Sequence, residues 1–249
     1  MMDIPRIFTI SESEHRIHNP FTPEKYATLG RVLRMKPGTR ILDLGSGSGE
    51  MLCTWARDHG ITGTGIDLSP LFTKQAKRRA DELGVSERVR FIHHDAAGYV
   101  ADEKCDVAAC VGAAWIAGGV TGTMALLAKS LRPGGMMLIG EPYWRQVPAN
   151  EDIAQACGVS SVADFLTLPD LVDSFDEQGY DLVEMVLADQ EGWDRYEAAK
   201  WMTMHRWLEA NPDDEFAQEV RAELTAAPKR HVTYVREYFG WGVFALMAR

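Results

Sequence analysis

The sequence predicts an α/β fold: a parallel sheet covered by helices on both faces. Three observations predict it. Between residues 40 and 140, short apolar runs alternate with stretches of helical spacing. The first of those runs, ILDL at Ile41–Leu44, passes directly into GSGSG and then into a helical stretch. That strand–glycine–helix order belongs to sheets whose ligands sit at the carboxyl edge. The chain has 249 residues, 46% hydrophobic and 25% charged, which is enough for a substantial core. No apolar run approaches the ~18 residues that would suggest a membrane span.

The elements follow in order. Residues 1–20 read as irregular. Thr22 can cap a helix with Pro23 at its first position, and that helix should run to about Arg34 before Lys36-Pro37-Gly38 turns the chain. Arg40–Leu44 is a strand and Gly49–His59 a helix. Gly63–Leu68 is a second strand, and Ser69–Leu83 a helix with Pro70 in its first turn. Val89–His93 is a third strand, followed by a short helical piece at Ala96–Ala101. Cys105–Val111 is a fourth strand and Thr121–Leu131 a helix. Arg132-Pro133-Gly134-Gly135 then turns into a fifth strand, Met136–Gly140. Beyond Glu141 the composition shifts: Trp144, Trp193, Trp201, Trp207 and Trp241 are five of the seven tryptophans. Helices are expected at Ser161–Phe165, Thr167–Gln178, Asp194–Glu209 and Asp213–Ala226, and strands at Asp181–Ala188 and Val243–Met247.

Composition narrows the function. The formal net charge is -10 (26 basic against 36 acidic residues), a field that repels nucleic-acid and anionic lipid surfaces. The densest basic cluster, Lys74–Arg79, has the spacing of a solvated helix face. Cys53, Cys105, Cys110 and Cys157 form no C-x-x-C pair and have no histidines at zinc-ligand spacing, so buried reduced thiols in a cytoplasmic protein are expected, with no metal site. His93-His94 is the one adjacent histidine pair, and on a strand its two rings face opposite ways. The first residues lack a basic region followed by an apolar run, so no secretion signal is expected.

The glycine segment carries the chemistry. A strand ending in glycines brings bare backbone amides to the sheet edge, and the following helix adds its positive end. A second acid, Asp67, ends the next apolar strand 24 residues after Asp43 and points at the same crevice, where it can accept from two ribose hydroxyls. Nicotinamide enzymes use G-x-G-x-x-G, whereas this spacing is G-x-G-x-G at Gly45, Gly47 and Gly49, with Asp43 in front of it. A pyrophosphate is poorly matched to a carboxylate so close. A sulfonium nucleoside with an amino group, S-adenosylmethionine, is well matched to it.

On these residues the sequence resembles the class I S-adenosylmethionine-dependent methyltransferases. ILDLGSGSGE is similar to their first motif, Asp67 in GIDLS to their ribose-binding acid, and His94-Asp95-Ala96 to their adenine loop. Asp106–Gly112 resembles their fourth strand and Leu131–Gly135 the turn before their fifth. The resemblance covers roughly residues 25–145 by motif. It implies a Rossmann-like seven-stranded sheet in the order 3-2-1-4-5-7-6, last strand antiparallel, in a single domain. It also implies an N-terminal lid at 1–30, a cofactor-binding core at 31–145 and acceptor-side helices with terminal strands at 146–249, residues 1–30 and 141–235 covering the acceptor. Cofactor contacts are then expected from Tyr26, Asp43, Gly45, Ser46, Gly47, Gly49, Asp67, Leu68, Asp95, Ala96, Val111, Gly112 and Trp115.

Methyl transfer needs alignment and exclusion of water, and a base only for a protonated acceptor. Candidates on the acceptor side are His18 (base or substrate contact), Glu141 and Tyr143. The loop after the fourth strand holds small residues and Trp115, where DNA amino-methyltransferases carry Asn or Asp before Pro-Pro and an aromatic, which disfavours a DNA base. Trp115 is placed to face the sulfonium. Tyr196, Lys200, Trp201, Met204, His205 and Leu208 share one helical face, core or pocket wall. A small-molecule acceptor is expected, with no nucleic-acid or membrane partner. A cofactor-binding regulatory protein without turnover and a nicotinamide oxidoreductase are the competing readings.

Overall fold

A computed structural model describes residues 4–249. The chain runs α1 (Arg6–Glu12), α2 (Pro23–Val32), β1 (Arg40–Leu44), α3 (Glu50–His59), β2 (Thr62–Asp67), α4 (Pro70–Glu82), β3 (Val89–His93), β4 (Cys105–Val111), α5 (Val120–Ala128), β5 (Leu131–Trp144), α6 (Glu151–Ala156), α7 (Leu168–Glu177), β6 (Tyr180–Leu187), α8 (Gln190–Ala210), α9 (Ala217–Arg230) and β7 (Phe239–Ala248). The seven strands form one sheet in the order β3-β2-β1-β4-β5-β7-β6. Strands β1 to β5 pair in parallel, and β7 runs antiparallel to both β5 and β6, as expected.

Strand alternation divides the core into two layers. Ile41, Val107, Leu138 and Val243 face α2, α3 and α4, where Leu29, Leu52, Trp55 and Ala76 are buried. Leu42, Cys110, Ile139 and Phe244 face α5 and α7, against Met124, Leu127, Leu171 and Phe175. Each large side chain so buried is worth ~1.5–3 kcal/mol of transfer free energy. Trp55 also donates its Nε1 hydrogen to the Tyr26 carbonyl at 3.0 Å, tying α2 to α3. The four cysteines are free and buried, and burial pushes their thiols above the ordinary value, which makes them poor nucleophiles.

Several expectations are corrected. Residues 6–12 form a helix where irregular chain was expected, because Ile10 packs against Met204 and Leu208 of α8 and Val220 of α9. Residues 96–101 make turns rather than a helical piece. Arg132–Gly135 does not interrupt the fifth strand; it is a bulge within it, with Cys105 opposite Leu131 and Val107 opposite Met136. The same strand continues past Gly140 to Trp144, paired with β7 throughout. Pro142 is tolerated because β4 pairs no further than Gly140, leaving one side of β5 free. Arg79, expected on a solvated face, turns inward to hold Glu50 through both Nε and Nη2 at 2.7 and 2.8 Å.

Candidate active site

The glycine bend lies between the ends of β1 and β2. The N–H groups of Gly45 and Ser46 donate to the Ile66 carbonyl at 2.8 and 3.0 Å. Asp67 accepts from the Gly47 N–H at 2.7 Å with one oxygen and from the Ser69 N–H at 2.8 Å with the other. Its carboxylate therefore straps the bend to the start of α4, whose own cap is Ser69 accepting from the Phe72 N–H. Gly47 has φ +52, and a Cβ there would lie 2.6 Å from His18 Cδ2. Gly49, also left-handed at φ +73, leaves the room in which α3 meets Phe91 and Ala76. It serves helix–sheet packing and lines neither cavity described below.

The bend opens on two adjoining cavities. The larger, about 380 Å³, has Gly45, Gly47, Asp67, Leu68, Asp95 and Ala96 on one side. Its other wall is Val111, Gly112 and Trp115, with Ile4, Pro5 and Phe8 over the mouth. Trp115 stands half exposed at the rim. The smaller, about 40 Å³, shares His18, Gly45, Gly47 and Val111 and adds Tyr26, Asp43 and Ser46. Of the expected cofactor contacts, all but Gly49 thus line one or the other. A larger hollow of about 490 Å³ lies over Arg40, Gly63, Arg88 and Glu103, at the opposite ends of β1 and β2, and holds none of the expected site residues.

The electrostatics of the small cavity are those of a cation site. Asp43 is buried, and among the described residues its Oδ1 has no hydrogen-bond partner; nor does the neighbouring Ser46 Oγ. Burial, followed by the charge of Asp67, pushes Asp43 up to about 7. Burial also raises Asp67, opposed by its bonds from Ser69 and Gly47. Two carboxylates at one edge, one with an orphaned oxygen, suit a ligand that brings positive charge and N–H donors. They do not suit a pyrophosphate.

The chain before α2 covers the bend. His18 packs on Phe72 with ring centres 4.2 Å apart and planes tilted by 36°; its Nδ1 lies 3.1 Å from Glu12 Oε2 and its Nε2 2.8 Å from Ser48 Oγ. Tyr26 Oη accepts from Asn19 Nδ2 at 2.9 Å. Glu12, Ser48, Phe72 and Gln75 carry no local signal in the sequence and were not expected here; their roles come from contacts between distant segments.

Glu141 and Tyr143 are not brought to these cavities. Glu141, on β5 opposite Gly242, is pushed up to about 8 by burial alone. Tyr143 is buried against Gly240, in a separate hollow of about 260 Å³ that it shares with Arg145, Trp193 and Phe239. Of the α8 face, Met204 and Leu208 are core, while His205 is largely exposed beside Glu209.

Comparison with known proteins agrees with this geometry. Residues 41–135 match a family model described as a methyltransferase domain. The chain is 85% identical over 248 residues to YjhP of Escherichia coli K12, covering all of both. It is 73% identical to an S-adenosylmethionine-dependent methyltransferase from Geobacter sulfurreducens, solved with S-adenosylhomocysteine, with a TM-score of 0.98 over the whole of each chain. A second such enzyme, from Thiobacillus denitrificans and also solved with S-adenosylhomocysteine, is 70% identical, with a TM-score of 0.97 over the whole of each chain.

Proposed function

The chain belongs to the S-adenosylmethionine-dependent methyltransferases, and from that premise we propose that it methylates a small-molecule acceptor by in-line displacement, with the cofactor lying across the Gly45–Gly49 bend. The observation that carries the reading is the unpaired Asp43 oxygen in a cavity shared with the glycine bend. Asp43 and Ser46 accept from the amino end of the cofactor. Asp67 receives the ribose hydroxyls, and Asp95 and Ala96 border the adenine. When bound, S-adenosylmethionine supplies an electrophilic methyl carbon.

The chain's own residues then have two tasks, alignment and exclusion of water. Residues 4–30 act as the lid, residues 1–3 of the expected lid lying outside the described residues: Ile4, Pro5 and Phe8 make an apolar mouth opposite Trp115. Residues 146–249 supply the acceptor side. The net charge of -10 and the apolar mouth favour a small, uncharged or cationic acceptor over a nucleic acid.

The test is methyl transfer from isotopically labelled S-adenosylmethionine to a metabolite extract, separated by size. Label in a compound below the size of a peptide supports the reading. Calorimetric binding of S-adenosylhomocysteine with no labelled product would support a regulatory binder instead, and tight NADH binding with no response to S-adenosylhomocysteine would remove the cofactor assignment.

A further inference from the structure

Glu12 is wholly buried, yet it lies far in sequence from the glycine bend and outside both cavities. Burial alone would raise its carboxyl. The hydrogen bonds from His15 and His18, with the charges of His18 and Lys200, outweigh burial and bring it to about 2. It is therefore an ionised acceptor. Oε1 accepts from Tyr196 Oη of α8 at 2.5 Å, and Oε2 faces His15 Nδ1 at 2.8 Å and His18 Nδ1 at 3.1 Å.

The protons around His18 can be counted from their partners. Gln75 Nε2 donates to the Ser13 carbonyl at 2.7 Å, so Gln75 presents its oxygen to Ser48. Ser48 has one hydroxyl hydrogen, and it goes to that oxygen at 2.7 Å. His18 Nε2, 2.8 Å from Ser48 Oγ, must then be the donor in that contact. His18 Nδ1 faces a carboxylate and must donate as well. On this count both ring nitrogens face acceptors, the hydrogen-bonding pattern that suits an imidazolium. His15 differs: its Nδ1 faces Glu12, but its buried Nε2 has no partner among the described residues.

We propose that Glu12 is a positioning residue for methyl transfer: it holds His18 as a fixed cation across the glycine bend and so keeps the N-terminal segment closed over the cofactor. The inference rests on the methyltransferase reading for its purpose, though not for its geometry. His18 has no lone pair to take a proton from an acceptor, so the base role expected for it is replaced by that of a charged clasp. The groups facing the clasp are Glu12 from α1, His15 from the same segment, Asp67 from the end of β2, Ser48 from the glycine bend, Phe72 from α4, and Tyr196 and Lys200 from α8. The N-terminal segment and α8 thus meet on one buried carboxylate, and His18 extends the contact to the glycine bend and α4.

The test uses the full chain. Two-bond proton–nitrogen NMR of the wild type at pH 7, with and without S-adenosylhomocysteine, should show both His18 nitrogens protonated, assigned by comparison with His18→Gln. Glu12→Gln keeps the shape and can donate to Nδ1, so in that variant His18 should become the neutral Nε2–H form. S-adenosylhomocysteine affinity should then fall at least tenfold while thermal unfolding stays cooperative. A neutral His18 in the wild type overturns the proposal, as does a neutral His18 in Glu12→Gln with unchanged affinity. The wild-type spectrum decides the charge even if the variant does not fold. A wild type that does not bind S-adenosylhomocysteine contradicts the cofactor reading instead, and the ligand-free spectrum still reports on the clasp.

Discussion

Replacing Asp43 with Asn removes a charge that the ligand-free protein holds at a cost. Burial and the neighbouring Asp67 lift this carboxyl from the ordinary aspartate value of 3.8 to about 7. Holding the charged form in the native state therefore costs about 4 kcal/mol, at ~1.4 kcal/mol for each tenfold change in proton affinity. The sign follows from proton counting. Between pH 4 and 7 the native state keeps a proton that the unfolded chain releases, so stability falls as pH rises through that window. Above pH 7 the whole penalty is present, and below pH 4 it is gone. Asp43→Asn lacks it. In chemical denaturation at pH 8 without ligand, the variant should be more stable than wild type by about 4 kcal/mol, falling to about 2 kcal/mol at pH 5. For a domain of this size that is a melting-temperature rise of about 8–16 °C at pH 8. S-adenosylhomocysteine should bind wild type more tightly as pH rises from 6 to 8, and the variant at least tenfold more weakly, with no such pH dependence. A variant no more stable than wild type at pH 8, or equally favoured at both pH values, would refute the account of Asp43 as a carboxylate kept for a cationic ligand.

Other substitutions separate ligand contacts from scaffold. Asp67→Ala should weaken S-adenosylhomocysteine binding more than tenfold by calorimetry, since charge-assisted bonds of ~1.5–3 kcal/mol are lost and the strap on Gly47 goes with them. Gly47→Val should abolish that binding while leaving cooperative unfolding, because a branched side chain at φ +52 must displace His18. Trp144→Ala should lower stability by about 3–5 kcal/mol in urea titration, having removed a fully buried ring stacked 4.5 Å from Phe239 and bonded to the Val162 carbonyl.

What the sequence reveals is what local pattern dictates. The strands at 40–44, 89–93 and 105–111 appear where alternating apolar runs put them, and Thr22-Pro23 and Ser69-Pro70 open their helices as caps should. The bend between Asp43 and Asp67 was legible for the same reason: glycines and an acid at a strand end have few other uses. Features set by tertiary partners were not. The helix at 6–12 has no side-chain cap and draws its stability from α8 and α9, so nothing in RIFTISE announces it. Arg132–Gly135 and Pro142 look like breaks, yet pairing with β4 on either side bridges the first as a bulge and pairing with β7 carries the strand through the second. Glu141 and Tyr143, expected at the crevice from their place after Gly140, line neither cavity, because β5 runs on as a strand to Trp144. Glu12 is the sharpest case: a carboxylate in a polar stretch reads as solvated, and only the fold brings His18, Tyr196 and its own helix together around it.

The most direct measurement is a crystal structure of this chain with S-adenosylhomocysteine. The account expects the amino group of the ligand on Asp43 Oδ1, its ribose hydroxyls on Asp67, and the ligand backbone along Gly45 and Gly47 beneath His18. A ligand bound elsewhere, or a bend filled by the protein's own side chains with Asp43 still unpaired, would contradict it.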